Sequence, residues 1–484
     1  MVNNQTFFNK LFYPKSVAII GASAKLQKFG SRYLDALLNF GFKGKIYPVN
    51  PTTSEILGLK CYKSVKEIPD TVDVAFISVP AHFVPKVVMD CVDKKINFVV
   101  VFSSGFSETG LEEGKKLEEE LLKIVKGSFT RLIGPNCFGV YCPGGGLTLL
   151  PGADFPRESG SVAFISQSGG LAERFCIYAR SLGLRFSKVV SYGNALDINE
   201  SDLLEYLIKD PETRIIAMYI ESIKDSKRFM KLIKEATRVK PVIIWKGGLT
   251  EVGSKAAKSH TGAIAGKKEI WHAFFRQTGA IKAEGLEDLV DISLIFQLFS
   301  KPCGRNVAIV CVGGGMAVAS ADACEIYGLK VPDFQPETVE KIKMLAQPVG
   351  VSLRNPVDLG SPFTPPEAYQ EILKIAALDP KIDVLMVLVW HLPLFYGGKT
   401  FVDEDFAKKT FEAPIYVKNS IKKPIILILY ETPLELEMLN AEKVRREIKN
   451  KHIEVGIPVY PNIERAARAL TKFIEYHEFL RRNP

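Results

Sequence analysis

The sequence is poor in the residues that build zinc sites and disulfide frameworks. Its eight cysteines stand at 61, 91, 137, 142, 176, 303, 311 and 324, and none forms a CxxC pair. With only six histidines and no HExxH or His/Cys cluster, a zinc centre is not expected. Several cysteines lie inside apolar runs, so buried, reduced thiols in a cytoplasmic protein are expected. No stretch approaches the ~18 uninterrupted apolar residues of a spanning helix. The run at 384–390 is bounded by Asp383 and His391. Residues 1–13 carry Asn and Gln where a secretory leader needs an apolar core, which argues against export. Lys and Arg exceed Asp and Glu by only nine, and no basic stripe carries interleaved aromatics. Nucleic-acid binding is therefore disfavoured, while the mild positive bias suits a protein that handles phosphorylated anions.

What is present is ordinary globular composition, 484 residues with 47 % hydrophobic and 24 % charged. That length predicts about three domains. One phrase recurs at positions 16, 161 and 306, always 145 apart: Ser-Val-Ala-Ile-Ile, Ser-Val-Ala-Phe-Ile and Asn-Val-Ala-Ile-Val. Each ends in small residues and then opens an amphipathic stretch. That pattern predicts the first strand, turn and helix of a parallel α/β unit. Many α/β domains begin this way, and the equal spacing alone does not prove a repeat. Apolar runs alternate with helical patterns through each third, so parallel sheets with right-handed crossovers are expected. The reading is three doubly wound α/β domains, at 1–150, 151–301 and 302–484. Ligands should then bind at the carboxyl ends of the strands. Residues 394–413, with mixed charges, read as a long exposed loop.

In the first third, Gly21, Ala22 and Ser23 follow the first strand and Gly30 precedes the helix. The G-x-G-x-x-G spacing is missing. The next strand ends at Asn50 with no acid to hold a nicotinamide ribose, which argues against a dehydrogenase. Val79 and Pro80, then Ser103, Ser104 and Gly105, then Asn136 and Cys137, close the remaining strands. Four such ends suit a cleft that grips an extended nucleotide, although αβ loops are commonly built of these residues. In the middle third, Ser166-Gln167-Ser168-Gly169-Gly170 lies between a strand and a helix. Backbone N–H groups at such a start favour an anion. A serine nucleophile would need the leading Gly of G-x-S-x-G, which is absent. Residues 253–266 hold nine Gly, Ala or Ser among fourteen, with His260 among them. Glu221 directly follows an apolar strand, where it could fix the tautomer of a histidine and leave Nε2 nucleophilic. A solvated loop acid and a surface histidine are the plainer alternatives.

Taken together, Gly21-Ala-Ser, Gly134-Pro-Asn-Cys-Phe-Gly, Ser166-Gln-Ser-Gly-Gly, Ser191-Tyr-Gly-Asn-Ala-Leu-Asp-Ile, Tyr219-Ile-Glu-Ser, Ser259-His-Thr-Gly-Ala-Ile-Ala-Gly and Asn355-Pro-Val-Asp-Leu resemble the α subunits of ADP-forming acetyl-CoA synthetases. These belong with succinyl-CoA synthetase in the nucleoside-diphosphate-forming acyl-CoA synthetase superfamily. The resemblance implies an N-terminal Rossmann-like CoA-binding domain followed by two flavodoxin-like domains. It implies a reversible conversion of acyl-CoA, ADP and phosphate to carboxylic acid, CoA and ATP, through an acyl phosphate and a phosphohistidine at His260. By the same resemblance Glu221 orients His260, and Ser168, Gly169 and Gly170 stabilise the phosphoryl group. Coenzyme A lies in the first domain, with Asn136 and Cys137 near its thiol, and Gly193 and Asn194 lie near the acyl or phosphate group. ADP, ATP and Mg²⁺ are then held mainly by a partner β subunit carrying an ATP-grasp domain, in an α2β2 assembly. By the same resemblance, Gly313-Gly-Gly-Met316 is the matching helix start of the third domain, which packs at the subunit interface, with close backbone packing as the alternative for a lone Gly triplet. A non-catalytic CoA-binding or sensing protein of the same fold is the alternative.

Overall fold

The computed structural model describes residues 4–25, 27–148, 155–255, 268–346, 352–361, 363–389, 404–431 and 439–483. The chain divides into two compact units, residues 1–293 and 294–484.

The first unit opens with helix α1 (Asn4–Phe12), then β1 (Ser16–Ile20), α2 (Phe29–Phe40) and β2 (Lys45–Val49). A small antiparallel pair, β3 (Glu55–Ile56) and β4 (Leu59–Lys60), precedes β5 (Val74–Ile77), α3 (Val84–Asp93), β6 (Phe98–Val101), α4 (Glu112–Val125) and β7 (Arg131–Ile133). The parallel sheet has the order β2-β1-β5-β6-β7. Next come β8 (Gly139–Cys142), β9 (Leu147–Thr148), β10 (Val162–Ser166), α5 (Gly169–Ser181), β11 (Phe186–Ser191), α6 (Glu200–Lys209), β12 (Ile215–Ile220), α7 (Ser226–Val239), β13 (Val242–Lys246), α8 (Lys268–Thr278), β14 (Ile281–Ala283) and α9 (Leu286–Leu298). The second sheet runs β14-β13-β12-β10-β11-β8-β9. Strand β8 pairs antiparallel to β11, so residues 139–148 extend the second sheet.

The second unit contains β15 (Val307–Cys311), α10 (Gly314–Ile326), α11 (Pro336–Leu345), β16 (Val357–Asp358), α12 (Pro366–Leu378), β17 (Val384–Val389), α13 (Glu404–Ser420), β18 (Ile425–Leu429), α14 (Leu439–Glu454), β19 (Val459–Tyr460) and α15 (Ile463–Arg482). Its sheet has the order β16-β15-β17-β18-β19.

Counted from its own first parallel strand, each sheet has the doubly wound order 2-1-3-4-5. The recurring phrase is strand 1 each time: β1, β10 and β15. All residues of these three strands are buried, as expected when helices cover both faces of a parallel sheet. Strand 1 borders the switch point where the winding reverses, so the three phrases mark three potential ligand crevices. The first sheet meets the Rossmann-like expectation as a doubly wound parallel sheet.

Two features of the first unit were not read from the sequence. Helix α1 packs Phe7 on Phe98 of β6 and Phe8 and Phe12 on Tyr206 of α6, so it ties the first sheet to a helix of the second. Lys188 of β11, almost fully buried, adds ion pairs to Asp210 and Glu212 at 2.9 Å and a hydrogen bond to Tyr13. One core therefore runs through both sheets, from Phe8, Val17 and Phe98 to Ile165, Tyr192 and Met218. Of the exposed loop expected at 394–413, residues 394–403 lie outside the described residues and the rest is helical from Glu404 onward. Ala407, Phe411 and Val417 are buried at helical spacing, a periodicity that the intervening charges and Pro414 obscured. Among the described residues, no helix is long and apolar enough to cross a membrane.

Candidate functional site

At the switch point of the first sheet lies a cavity of about 1060 Å³. Gly21, Ser23, Gly30, Asn50, Val79, Pro80, Ser103 and Ser104, all expected from sequence, line it together. The glycines are there because nothing larger fits. Gly21 has φ 90°, and a Cβ on it would stand 2.1 Å from the Ser78 carbonyl oxygen. A Cβ on Gly30 would stand 2.4 Å from the Gly21 carbonyl oxygen, so helix α2 starts directly against the turn. Asn50 donates to the Ala22 carbonyl at 2.7 Å and accepts from Thr52 N–H at 2.9 Å, locking two strand ends together. Ser103 Oγ accepts from Val79 N–H at 3.2 Å and ties a third.

Sequence reasoning missed the charges of this cleft. Lys28, Lys63 and Lys86 line it, with Gln27, Thr52, Ser64 and one acid, Asp90, which is paired with Lys66. They come from three separate segments and form no motif, so only the fold collects them. Three ammonium groups around glycine-lined backbone fit a nucleotide that bears several phosphates. Ala22 is buried and contributes a carbonyl to Asn50. Cys137 is also buried, with Sγ 3.3 Å from the Val101 carbonyl oxygen and 3.7 Å from that of Ile133. Burial pushes its thiol pKa up. Its side chain therefore packs in the core and does not line the cleft.

The second crevice forms where β10 ends between β11 and β12, with Ser166 in register with Ser191 on one side and Tyr219 on the other. Gln167 then makes the decisive local structure. Its Oε1 accepts both Glu221 N–H and Ser222 N–H at 2.9 Å, and its Nε2 donates to Ser222 Oγ at 2.9 Å. The turn after β12 is thus moulded on the residue that precedes the helix start. Ser168 caps α5, its Oγ accepting from Leu171 N–H at 3.4 Å. Gly169 is pressed on Phe138, whose ring would lie 2.4 Å from an added Cβ, while Gly170 faces open space.

Glu221 is only 8 % exposed, and its Oε1 accepts from Tyr219 OH at 3.1 Å. Lys246, the last residue of β13, is also buried and donates to the Glu221 carbonyl at 2.8 Å. Its ammonium lies 5.4 Å from the Trp271 ring centroid. Burial, partly offset by the Glu221 carboxylate, pushes Lys246 down to about 8 from an ordinary 10.5. The Tyr219 phenol is raised by burial and by the same carboxylate. His260 lies within 256–267, outside the described residues. The chain leaves β13 at Lys246, beside Glu221, and is helical over 251–255.

Between the crevices, Gly193 (φ 56°) brings the end of β11 against residues 134–136, since a Cβ there would stand 2.2 Å from the Pro135 carbonyl oxygen. Asn194 N–H donates to that same carbonyl at 3.0 Å. Asn136 Nδ2 lies 3.4 Å from Asn194 Oδ1. Gly105 N–H donates to Glu108 Oε1 at 2.6 Å. So Gly105, Asn136 and Asn194 meet in one junction, separate from the cavity lining.

In the second unit, the Asp358 carboxylate at the end of β16 accepts from Gly313 N–H at 2.7 Å and Gly360 N–H at 2.9 Å. Asn355 is spent on backbone, accepting from Ile309 N–H and donating to the carbonyls of Val307 and Pro332. The polar residues of the Asn-Pro-Val-Asp-Leu motif are thus structural locks within this unit.

Comparison with known families gives three matches along the chain. Residues 15–143 match a CoA binding domain family, 159–296 a succinyl-CoA ligase like flavodoxin domain, and 307–438 a ligase-CoA domain. The α subunit of ADP-forming acetate–CoA ligase I from Pyrococcus furiosus is 38 % identical over 97 % of this chain and 97 % of its own length. An ADP-forming acetate–CoA ligase I from Archaeoglobus fulgidus is 41 % identical over 78 % of this chain, but only 54 % of that protein is covered. The chain therefore spans about half the length of that relative. A solved dinucleotide forming acetyl-coenzyme A synthetase 1 from Ca. Korarchaeum cryptofilum, in complex with phosphate and ADP, superposes with a TM-score of 0.82 at 34 % identity. The match covers 98 % of this chain and 97 % of that one.

Proposed function

The chain belongs to the family of ADP-forming acetate–CoA ligases, and we propose that it works as the α subunit of a nucleoside-diphosphate-forming acyl-CoA synthetase. It converts acyl-CoA, ADP and phosphate to carboxylic acid, CoA and ATP, reversibly. The first crevice takes CoA, with Lys28, Lys63 and Lys86 meeting its phosphates. In the second, phosphate attacks the thioester carbonyl and the CoA thiolate leaves, giving an acyl phosphate. His260 Nε2 then attacks phosphorus, and the carboxylate leaves. Phosphohistidine finally passes its phosphoryl group to ADP. The Ser168-Gly169-Gly170 helix start stabilises the anion, and Glu221 accepts Nδ1–H of His260 to hold Nε2 nucleophilic. The N–P bond keeps enough transfer potential for the relay to run both ways.

Nucleotide handling is assigned to a β chain with an ATP-grasp domain and Mg²⁺, in an α2β2 assembly in the cytoplasm. We assign CoA binding to 1–150, phosphoryl relay to 151–301 and the interface to 302–484, with β8 and β9 of the first segment contributed to the second sheet. One observation carries the reading: Gln167, which precedes the helix start, hydrogen-bonds the backbone of Glu221, so anion site and buried carboxylate form one construction. The test is incubation with γ-labelled ATP, Mg²⁺ and a candidate β chain. Acid-labile, base-stable label that disappears in His260→Ala is expected; no label on the wild type removes the proposal.

A further inference from the structure

The junction between the two crevices contains two carboxylates to which the reading above gives no work. Asn194 Nδ2 donates to Glu108 Oε2 at 2.7 Å, with Glu118 Oε2 at 3.3 Å and Ser107 Oγ at 3.5 Å. Two carboxylates on one side and Asn136 Nδ2 on the other fix which end of the Asn194 amide is nitrogen. Asn194 itself is only 7 % exposed. The second oxygen of Glu108 is equally committed: Oε1 accepts from Gly105 N–H at 2.6 Å and Phe106 N–H at 3.1 Å. Ser107 N–H donates to Glu118 Oε2 at 3.0 Å.

Glu108 therefore reaches in two directions. One oxygen closes the loop after β6, whose Ser103 and Ser104 line the CoA cavity. The other grips a side chain three residues beyond β11, the strand in register with Ser166 beside the phosphoryl helix start. No sequence motif announces this, because Glu108 and Asn194 are 86 positions apart. The charged acceptor makes both bonds stronger than neutral ones.

We propose that Glu108 is a positioning residue that holds the CoA-bearing loop in register with the acyl-phosphate centre, with Glu118 as its support. This rests on the acyl-CoA synthetase reading. Glu108 acts through Asn194 and the 103–106 loop rather than on reacting atoms. Its loss should misalign thiol and acyl phosphate while leaving the Glu221 side of the second crevice, beyond Ser166, in place.

The two half-reactions separate these effects on one sample. The αβ complex is phosphorylated on His260 with γ-labelled ATP and freed of nucleotide, then discharged in two ways. ADP takes the phosphoryl group back to form ATP. Acetate with CoA takes it to acyl phosphate, then to acyl-CoA and inorganic phosphate, the thiol proton ending on the phosphate. Glu108→Gln keeps an oxygen for Gly105 and Phe106 but turns an NH₂ group toward the NH₂ of Asn194. It should slow discharge by acetate and CoA by roughly ten- to 100-fold, with discharge by ADP within about twofold of wild type. Equal slowing of both discharges, or of neither, overturns the proposal. If Glu108→Gln does not fold, Glu108→Asp, which keeps the charge and shortens the reach, undergoes the same two discharges. Failure of the wild type to take label removes the acyl-CoA synthetase reading, and this inference with it.

Discussion

The second and third sheets share a strand order, a buried first strand and a glycine-bearing helix start, yet their crevices are finished differently. In the second, Ser168 caps the helix with its own hydroxyl, Gly170 faces open space, and the nearby acid, Glu221, is held back by Gln167 and Tyr219. In the third, the chain places its own carboxylate, Asp358, on the helix start, bonded to Gly313 N–H and 3.4 Å from the Cβ position of Gly314. A helix start that holds an internal anion is electrostatically satisfied and offers little to a second one. The same fold device thus leaves a helix start open to an outside anion in one place and closes it with a structural cap in the other. What decides is the residue that ends the neighbouring strand.

The sharpest way to break this contrast is to neutralise both acids. Glu221→Gln retains the shape and the bond from Tyr219 but loses the charge that would orient His260. Phosphorylation of His260 should slow on the order of 10²- to 10⁴-fold, measured by rapid quench with labelled ATP and the β chain. Asp358→Asn should leave that rate unchanged. Equal effects from the two variants would dissolve the distinction.

Alanine at the helix starts gives the next largest effect. Gly169→Ala drives a methyl into the Phe138 ring at 2.4 Å, a ring that itself packs on Phe102. The expected cost is about 1–3 kcal/mol. Gly314→Ala meets only Asp358 Oδ2 at 3.4 Å, an ordinary contact. It should be neutral or stabilising by up to about 1 kcal/mol. Denaturant unfolding of each variant measures both; a larger loss at Gly314 contradicts the packing described.

How far the sequence alone leads is visible in these residues. Periodicity reveals β1, β10 and β15, because parallel strands covered on both faces are continuously apolar. Short-range chemistry reveals Ser168-Gly169-Gly170 and Glu221, because a helix start and a strand end are local. The convergence of Lys28, Lys63 and Lys86, and the pairings of Glu108 with Asn194 and of Asp358 with Gly313, join segments distant in sequence, which local pattern does not encode. Cys137 shows the converse. Its place after a strand end suggested the cleft, but its Sγ lies in the core against the Val101 carbonyl, as a buried filler cysteine would. Helix α1 was not legible in the sequence, since its apolar face has meaning only beside Tyr206.

A third variant, Asp358→Ala, sharpens the comparison from the structural side. It removes the acceptor for Gly313 N–H and Gly360 N–H and should cost the second unit about 0.5–2 kcal/mol. Calorimetry should show the lower-stability transition without a change in histidine labelling.

The smallest effect separates the fourth strands. In the second sheet β13 ends at Lys246, buried beside Glu221, while β18 of the third ends at Leu429, equally buried and apolar. Lys246 titrates near 8 when folded, against an ordinary 10.5. Below pH 8 it carries its proton in both states, and the folded protein bears the cost of a desolvated charge. Between 8 and 10.5 the unfolded chain binds more protons, so the wild type gains stability as pH rises. Lys246→Met has no such group, and other titrations are common to both proteins. The stability difference should therefore move in favour of the wild type by on the order of 1 kcal/mol across this window, once screening is allowed for. Urea unfolding at pH 7.5, 9 and 10 reads it. A difference that stays flat with pH would mean that Lys246 titrates as an ordinary surface lysine, and that β13 and β18 end in electrostatically equivalent surroundings.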